Sequence, residues 1–295
     1  MAEQFQVTTN PEIEPDLYYD VQCLDSDSTY NDSLGSESYR TSVTLSNGRR
    51  YYAYREGKYT LPNNEEEQDQ MDLFHHIYSL ILDGEIHVAP IKNAQRVLDI
   101  GTGTGIWAVD FADQYAFSEV IGNDLSPIQP KWVPPNCQFE IDDLNQNGQL
   151  GGSIHDFPRP CRQAFSHLCP GEYFEIQSFT VDIFSDDSSI EKAPYTKQVV
   201  SLFQEASARF GKPMNNLDTW PAAMKESGFT DVVCKIVKAS SIHSVPAYTN
   251  ILLSRVLGWD KTEIDILNMH VLRESKNLEV HQYGKLYLIY GRKAL

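Results

Sequence analysis

Short apolar runs and longer helical stripes follow one another along most of this chain. Val97, Leu98 and Ile100 suit a strand buried in a parallel sheet, as do the runs Glu119-Val-Ile-Gly-Asn-Asp124 and Cys137-Gln-Phe-Glu-Ile141. Between the first two, residues 106–115 carry helical spacing. Upstream, Met71, Phe74, Ile77, Tyr78 and Ile81 form one stripe of a helix predicted over residues 64–83, with a polar start and acids at 65–67. Downstream, helices are predicted over residues 158–168, 194–210, 246–257 and 262–275. A further helix is capped by Asp218, runs through Ser227 and stops at Gly228. Strands are predicted at Tyr173–Phe179, 232–237 and 285–290. Before all of these, residues 41–45 and 49–54 read as two extended pieces around an Asn47-Gly48 turn, a lid or preface to the domain. Alternating strands and helices of this kind predict an α/β fold.

The richest local signal joins the first strand to its helix, in Arg96-Val-Leu-Asp-Ile-Gly-Thr-Gly-Thr-Gly-Ile-Trp107. Gly101, Gly103 and Gly105 permit a tight turn and close approach of a ligand to its backbone. A dinucleotide fingerprint needs Gly-x-Gly-x-x-Gly, whereas here the third glycine comes one residue early. Asp99 argues the same way, because a pyrophosphate at a helix N-terminus is repelled by a neighbouring carboxylate. S-adenosylmethionine carries a sulfonium, an ammonium and one carboxylate, so an acid beside the loop is tolerable and helps orient its amino group. The competing reading is a turn whose glycines serve geometry alone. Asp124 ends the second apolar run, 19 residues beyond Gly105, where it can accept both ribose hydroxyls. As a turn acid before Ser126-Pro127 it has an ordinary explanation as well. The third run ends in Asp142-Asp143, either of which can meet an adenine amino group. These acids fall at the carboxyl ends of neighbouring strands, where open α/β sheets bind ligands.

With these residues in place, the chain from about residue 49 onward resembles class I S-adenosylmethionine-dependent methyltransferases. Within them it is similar to the fungal LaeA-like group associated with secondary metabolism. The carriers are Gly48-Arg-Arg-Tyr-Tyr-Ala-Tyr-Arg-Glu-Gly-Lys-Tyr59, Leu61-Pro-Asn-Asn-Glu65, Glu67-Gln-Asp69, the glycine loop, Gly122-Asn-Asp-Leu-Ser-Pro-Ile-Gln-Pro130 and Gly152-Ser-Ile154. The resemblance implies a Rossmann-like, doubly wound, mostly parallel sheet with an N-terminal lid and a helical cap. It implies S-adenosylmethionine as cofactor, bound by Asp99, Gly101, Gly103, Gly105, Asp124 and, on motif alignment, Asp143 ahead of Asp142. In the family the segment before the first strand packs over the cofactor, which makes Tyr54 and Arg55 candidates for the methionyl carboxylate, Arg55 by a bidentate contact. An ion pair of Arg55 with Glu56 or another acid is the competing reading. The chain departs from the pattern in two places. The family's fourth strand, which lies beside the first, has no counterpart in the polar, glycine-rich sequence between Asp143 and Phe157, so one central strand is expected to be missing. Pro170-Gly-Glu172 also replaces the family's Pro-Gly-Gly.

The 295 residues, 41% of them hydrophobic, suffice for one large domain with a cap. Residues 1–39 contain nine acids and no Lys or Arg, and read as a disordered acidic tail able to serve as a protein-binding segment. The domain then divides into a lid and helix at 40–95, a cofactor core at 96–238, and cap helices with a last strand at 239–295. A net charge of −17 argues against nucleic acid as a partner. No apolar stretch approaches the roughly 20 residues of a membrane span and no signal pattern opens the chain, so a cytoplasmic or nuclear protein is expected. Five scattered cysteines indicate neither a disulfide framework nor a zinc site. His75, His76, His155 and Glu175 are candidate bases without a firm assignment, and Trp220, Tyr248 and Trp259 are aromatics suited to a flat acceptor or to packing. The expected function is methyl transfer to a small molecule in fungal secondary metabolism. Its alternatives are a non-catalytic or regulatory relative that binds a protein and, disfavoured by the glycine spacing, an NAD-dependent oxidoreductase.

Overall fold

The computed structural model describes residues 43–46, 49–52, 65–141, 159–209, 216–239 and 252–295. The acidic tail, Tyr54, Arg55, Asp142, Asp143, His155 and Tyr248 lie outside the described residues. The first two strands, β1 (Val43–Ser46) and β2 (Arg49–Tyr52), pair antiparallel with Ser46 opposite Arg49, which leaves the two-residue connection read from the sequence.

The glycine-loop half is a parallel sheet in the order β3 (Arg96–Ile100), β4 (Glu119–Asp124), β5 (Cys137–Ile141). Its register sets Asp99 opposite Gly122 and Asp124 opposite Ile141, so the acids reach neighbouring strand ends. Helix α2 (Ile106–Gln114) covers one face. Its Ala108, Phe111 and Ala112 are buried against Val120 and Cys137, the apolar spacing predicted for that helix.

The second half is antiparallel in the order β6 (Tyr173–Phe179), β8 (Gly284–Arg292), β7 (Thr230–Ala239). Alternation along β8 feeds two cores. Tyr287 and Ile289 meet Cys161 and Ala164 of α3 (Arg159–His167) and Trp220, Ala223 and Met224 of α5 (Trp220–Glu226). Leu286 and Leu288 face the other way, towards Tyr78 and Ile81 of α1 (Glu65–Ile81) and Phe179. A cap forms where α4 (Pro194–Arg209) and α6 (Lys261–Ser275) bury Val199, Ile264, Leu267 and Val271 around Leu253.

Helix α1 orients the halves. Its Asp72 and His75 touch the loop after β3 and helix α2, while its Phe74 and Tyr78 rings lie 5.7 and 5.3 Å from Phe179 at the end of β6. The carboxyl ends of β3 and β6 therefore lie on the same side of the molecule, as the α/β expectation requires.

The Rossmann-like α/β expectation is met by the parallel half, and among the described residues the strands form two three-stranded sheets, with no strand pairing with the remaining edge of β3 or of β6. The boundary between the two falls beside the first strand of the glycine-loop half, where the sequence lacks an apolar run for a fourth strand, and Leu98 is left 41% exposed. Other differences are local. Asp218 does not cap a helix but sits inside a 3-10 turn, Leu217–Thr219, and Thr219 precedes α5 without a side-chain cap bond, because Trp220-Pro221 starts the helix two residues later. The end of the helix predicted over 246–257 is a π-helical turn, Leu252–Val256. Strand β7 is longer than its apolar core, with irregular register between Thr230 and Val233 and Asp231 at φ 51°. The turn before β6 survives its altered triplet: Gly171 takes φ 93° and its N–H bonds Lys293 O, while Glu172 accepts from Cys169 N.

Candidate functional site

At the end of β3 the chain must leave the sheet and turn into α2 within five residues. Gly101 N and Thr102 N both donate to Asn123 O at 2.9 Å, so the loop begins as a fork onto β4, and Gly105 N closes it on Thr102 O at 2.9 Å. The three glycines do different work. Gly105, at φ 84°, has the Phe139 ring where a Cβ would stand, and the same ring lies 2.6 Å from the Cβ position of Gly122. Gly103 lies under Met71, whose sulfur is 3.0 Å from its Cβ position. At Gly101, φ 75° and exposed, nothing stands within 4 Å. The packing explanation of the glycines thus holds for Gly105, while Gly101 borders open space.

Side chains tie the loop down from three directions. Asp124, 8% exposed, accepts Gly103 N at 3.0 Å on one carboxylate oxygen and Ser126 N at 2.9 Å on the other. Gln129 donates to Gly103 O at 2.7 Å and to Ser126 O at 2.8 Å. From α1, Asp72 accepts the Thr104 hydroxyl at 2.7 Å, and His75 pairs with Asp110 of α2 at 2.7 Å. Asp99 accepts the Thr102 hydroxyl at 2.6 Å. Among the described residues the Gly101 carbonyl and the Thr104 N–H take no hydrogen bond, and the buried Ser126 hydroxyl has no partner. Helix α2 starts without a side-chain cap.

Burial pushes the Asp99 carboxyl up to about 6. The nearby Asp124 charge adds to the rise, while the Thr102 hydroxyl and His75 oppose it. Burial also raises Asp124, against the N–H groups of Ser126, Gly103 and Leu125. Two carboxylates that resent ionisation lie together at the loop. A cation relieves that strain and a pyrophosphate aggravates it.

The sequence-derived candidates divide accordingly. Asp99, Gly101, Gly103, Gly105 and Asp124 are brought together. Arg55, Asp142 and Asp143 lie outside the described residues. Glu175 is not a free base: its carboxylate accepts Val88 N at 3.0 Å, Ala89 N at 2.6 Å and the Gln177 amide at 2.7 Å, holding the segment before β3. His75 is spent on Asp110 and His76 is exposed. Trp220 is core at 4% exposure, and Trp259 packs in the cap. Asp72 and Gln129, absent from the sequence-derived candidates, also hold the loop. Gln129 lies inside the Asp-Leu-Ser-Pro-Ile-Gln-Pro stretch, whose specificity was the available signal. Two open depressions, of about 320 Å³ beside Phe117 and Asn136 and about 340 Å³ beside His87 and Lys235, lie away from the loop and bring no such acids together. Among the described residues no cluster of His, Cys, Asp and Glu suits a metal ion, and no helix is long and apolar enough to cross a membrane.

The chain is similar in sequence to known proteins. The methyltransferase-domain family matches residues 73–234. The methyltransferase pytC of Aspergillus terreus is 31% identical over 315 aligned positions, covering 95% of this chain and 96% of its own. The secondary metabolism regulator laeA of Aspergillus flavus is 31% identical over 284 positions, covering 84% of this chain and 76% of its own. Among solved structures, a phosphoethanolamine N-methyltransferase 2 of Haemonchus contortus in complex with S-adenosyl-L-methionine aligns at 15% identity with a TM-score of 0.41, over 81% of this chain and 54% of that one.

Proposed function

The chain belongs to the methyltransferase-domain family and, within it, to the fungal LaeA-like group; from that premise we propose that its glycine loop receives S-adenosylmethionine for methyl transfer to a small molecule of secondary metabolism. The observation that carries this reading is the desolvated pair Asp99 and Asp124, brought together at the glycine loop. That donor set fits a cationic amino-acid nucleoside. Asp99 and the Gly101 carbonyl receive the ammonium. Asp124 keeps lone pairs for the ribose hydroxyls beyond those given to Gly103 and Ser126. Arg55 serves the methionyl carboxylate and Asp143, or Asp142, the adenine amino group. Bound there, the cofactor supplies an electrophilic methyl group on a positively charged sulfur. The chain's own part is to hold the reactants in line and exclude water, and such alignment accounts for effective molarities of roughly 10⁵ to 10⁸ M in favourable reactions.

The edges of β3 and β6, which pair with no strand among the described residues, favour a second reading, a non-catalytic relative that engages a protein, through the acidic tail or elsewhere. Turnover of a methyl acceptor separates the two. The nicotinamide reading is disfavoured by the same acids, which repel a pyrophosphate.

Calorimetric titration of the full chain with S-adenosylmethionine, and with NADH for comparison, tests the proposal. The first ligand is expected to bind and the second not to. Asp124→Ala is expected to weaken the first by about 10- to 100-fold, the equivalent of a charged hydrogen-bond partner. Unchanged affinity removes Asp124 from the site, and a folded wild-type chain that binds nothing overturns the cofactor reading. The pH adds a check: affinity for the cationic ligand is expected to fall as Asp99 protonates, towards about tenfold per unit well below its value of about 6.

A further inference from the structure

We infer that Asp72 of α1 is a specificity-determining residue that reads the positive charge on the sulfur of the cofactor, an inference that rests on the cofactor reading above. Helix α1 lies against the glycine loop. Its Met71 sulfur is 3.0 Å from the Cβ position of Gly103, and Asp72 accepts the Thr104 hydroxyl at 2.7 Å on Oδ1. His75, three residues on and so on the same helix face, pairs with Asp110 of α2 at 2.7 Å and lies close enough to Asp99 to oppose the rise of its carboxyl. Three carboxylates from three elements therefore border one loop: Asp99 from β3, Asp124 from the end of β4 and Asp72 from α1. Asp124 has already given both oxygens to backbone N–H groups. Asp72 has spent one, and among the described residues its Oδ2 takes no hydrogen bond.

The place of Asp72 along the loop decides which charge it meets. Asp99 and Gly101 stand at the β3 end, where the ammonium is received. Thr104 follows Gly103, whose N–H rests on Asp124 at 3.0 Å, so Asp72 stands at the end of the loop where Asp124 serves the ribose. In S-adenosylmethionine one carbon joins the sulfur to the ribose ring, whereas four bonds separate it from the ammonium nitrogen. The cation nearest to Asp72 is therefore the sulfonium. A sulfonium has no hydrogen to donate and is held by charge alone, which suits a carboxylate oxygen left without a donor. Once the methyl group has left, the sulfur is a neutral thioether and that attraction is gone. Asp72 thus favours the methyl-bearing form of the cofactor over the spent one.

A plain tie between α1 and the loop would act on every ligand alike, and three ligands tell the roles apart. S-adenosylmethionine carries a sulfonium, sinefungin an amine-bearing carbon in its place, and S-adenosylhomocysteine a neutral sulfur; all share the nucleoside and the amino-acid end. Dissociation constants are measured by calorimetry on the full chain. In Asp72→Asn, whose amide oxygen still accepts the Thr104 hydroxyl, those for S-adenosylmethionine and sinefungin are expected to rise about five- to tenfold, with less than about a twofold change for S-adenosylhomocysteine. Asp72→Ser, also neutral, carries the test should the Asn variant not fold. Thr104→Val, which removes the bond and keeps the carboxylate, is expected to preserve the wild-type ratio of the S-adenosylmethionine and S-adenosylhomocysteine constants. Melting temperature and far-ultraviolet circular dichroism are read on each. Equal losses for the three ligands in Asp72→Asn, or no loss for the two charged ones, overturn the role of Asp72 while leaving the cofactor reading intact. So does a Thr104→Val chain whose ratio shifts as that of Asp72→Asn does. A wild-type chain that binds none of the three overturns both.

Discussion

Among the described residues, strands β3 and β8 are each flanked by a partner of their own sheet, but β8 has one on either side and β3 on one side only. In β8, Leu286, Leu288 and Ile289 are fully buried between helices on both faces, whereas β3, which bears Asp99, leaves Leu98 half in solvent. The antiparallel half holds cores on both faces of its sheet. The parallel half has its core on the α2 side and collects buried acids with raised pKa values at its end. The sheet buried on both faces is one half and the candidate chemistry lies in the other. The joint between them is built from α1 and from Glu175, which lies on β6 yet holds the backbone before β3.

The strongest way to break this comparison is Leu288→Ala. Removing a fully buried leucine from the middle strand is expected to cost about 2–5 kcal/mol in thermal or urea unfolding. A loss well under 1 kcal/mol would mean that burial on both faces of that sheet does not stabilise the fold. Next comes a paired test in the glycine loop. Gly105→Ala meets both a left-handed φ and the Phe139 ring, and is expected to cost roughly 2–3 kcal/mol. Gly101→Ala has the strained φ but open space, and is expected to cost about 1–2 kcal/mol while hindering ligand approach. Equal melting temperatures for the two variants would remove Phe139 from the argument.

The smallest effect has the opposite sign. Asp99 has its pKa raised in the fold, so the native state holds a proton that the unfolded chain releases, and stability falls as pH rises from about 4 to about 6. At neutral pH, Asp99→Asn is therefore expected to stabilise the ligand-free protein. The residue keeps some contact with solvent, which discounts the gain to about 1 kcal/mol, and S-adenosylmethionine affinity should drop in the same variant. A lower melting temperature for Asp99→Asn at pH 7, with no pH trend in the wild type, would show that the carboxylate is not desolvated.

Legibility followed range in the chain. The helices carrying Met71, Phe74 and Tyr78, and Ala108 and Phe111, could be read from spacing, as could β3, β4 and β5 from apolar runs that end in acids. The Asn47-Gly48 connection could be read from turn chemistry. Asp218 misled because a capping residue type says where a helix is permitted to begin, and Trp220-Pro221 decided where it did begin. Glu175 misled because a carboxylate near a strand end looks the same in sequence whether it faces a cleft or three backbone and amide donors.

By itself the sequence determined the period of each element, the glycine turn at 101–105, the acids at the strand ends, and the lack of an apolar run after Asp143. All are properties of a few consecutive residues, where steric and solvation preferences act directly. Only the tertiary structure decided that β8 lies between β6 and β7 and that Phe139 occupies the space over Gly105 and Gly122. It alone decided that Asp124 and Gln129 grip Gly103 from either side, and that Asp99 loses enough water to resist ionisation. Each of these rests on groups tens of residues apart being brought within a few ångströms, and no local preference records which distant neighbour will arrive.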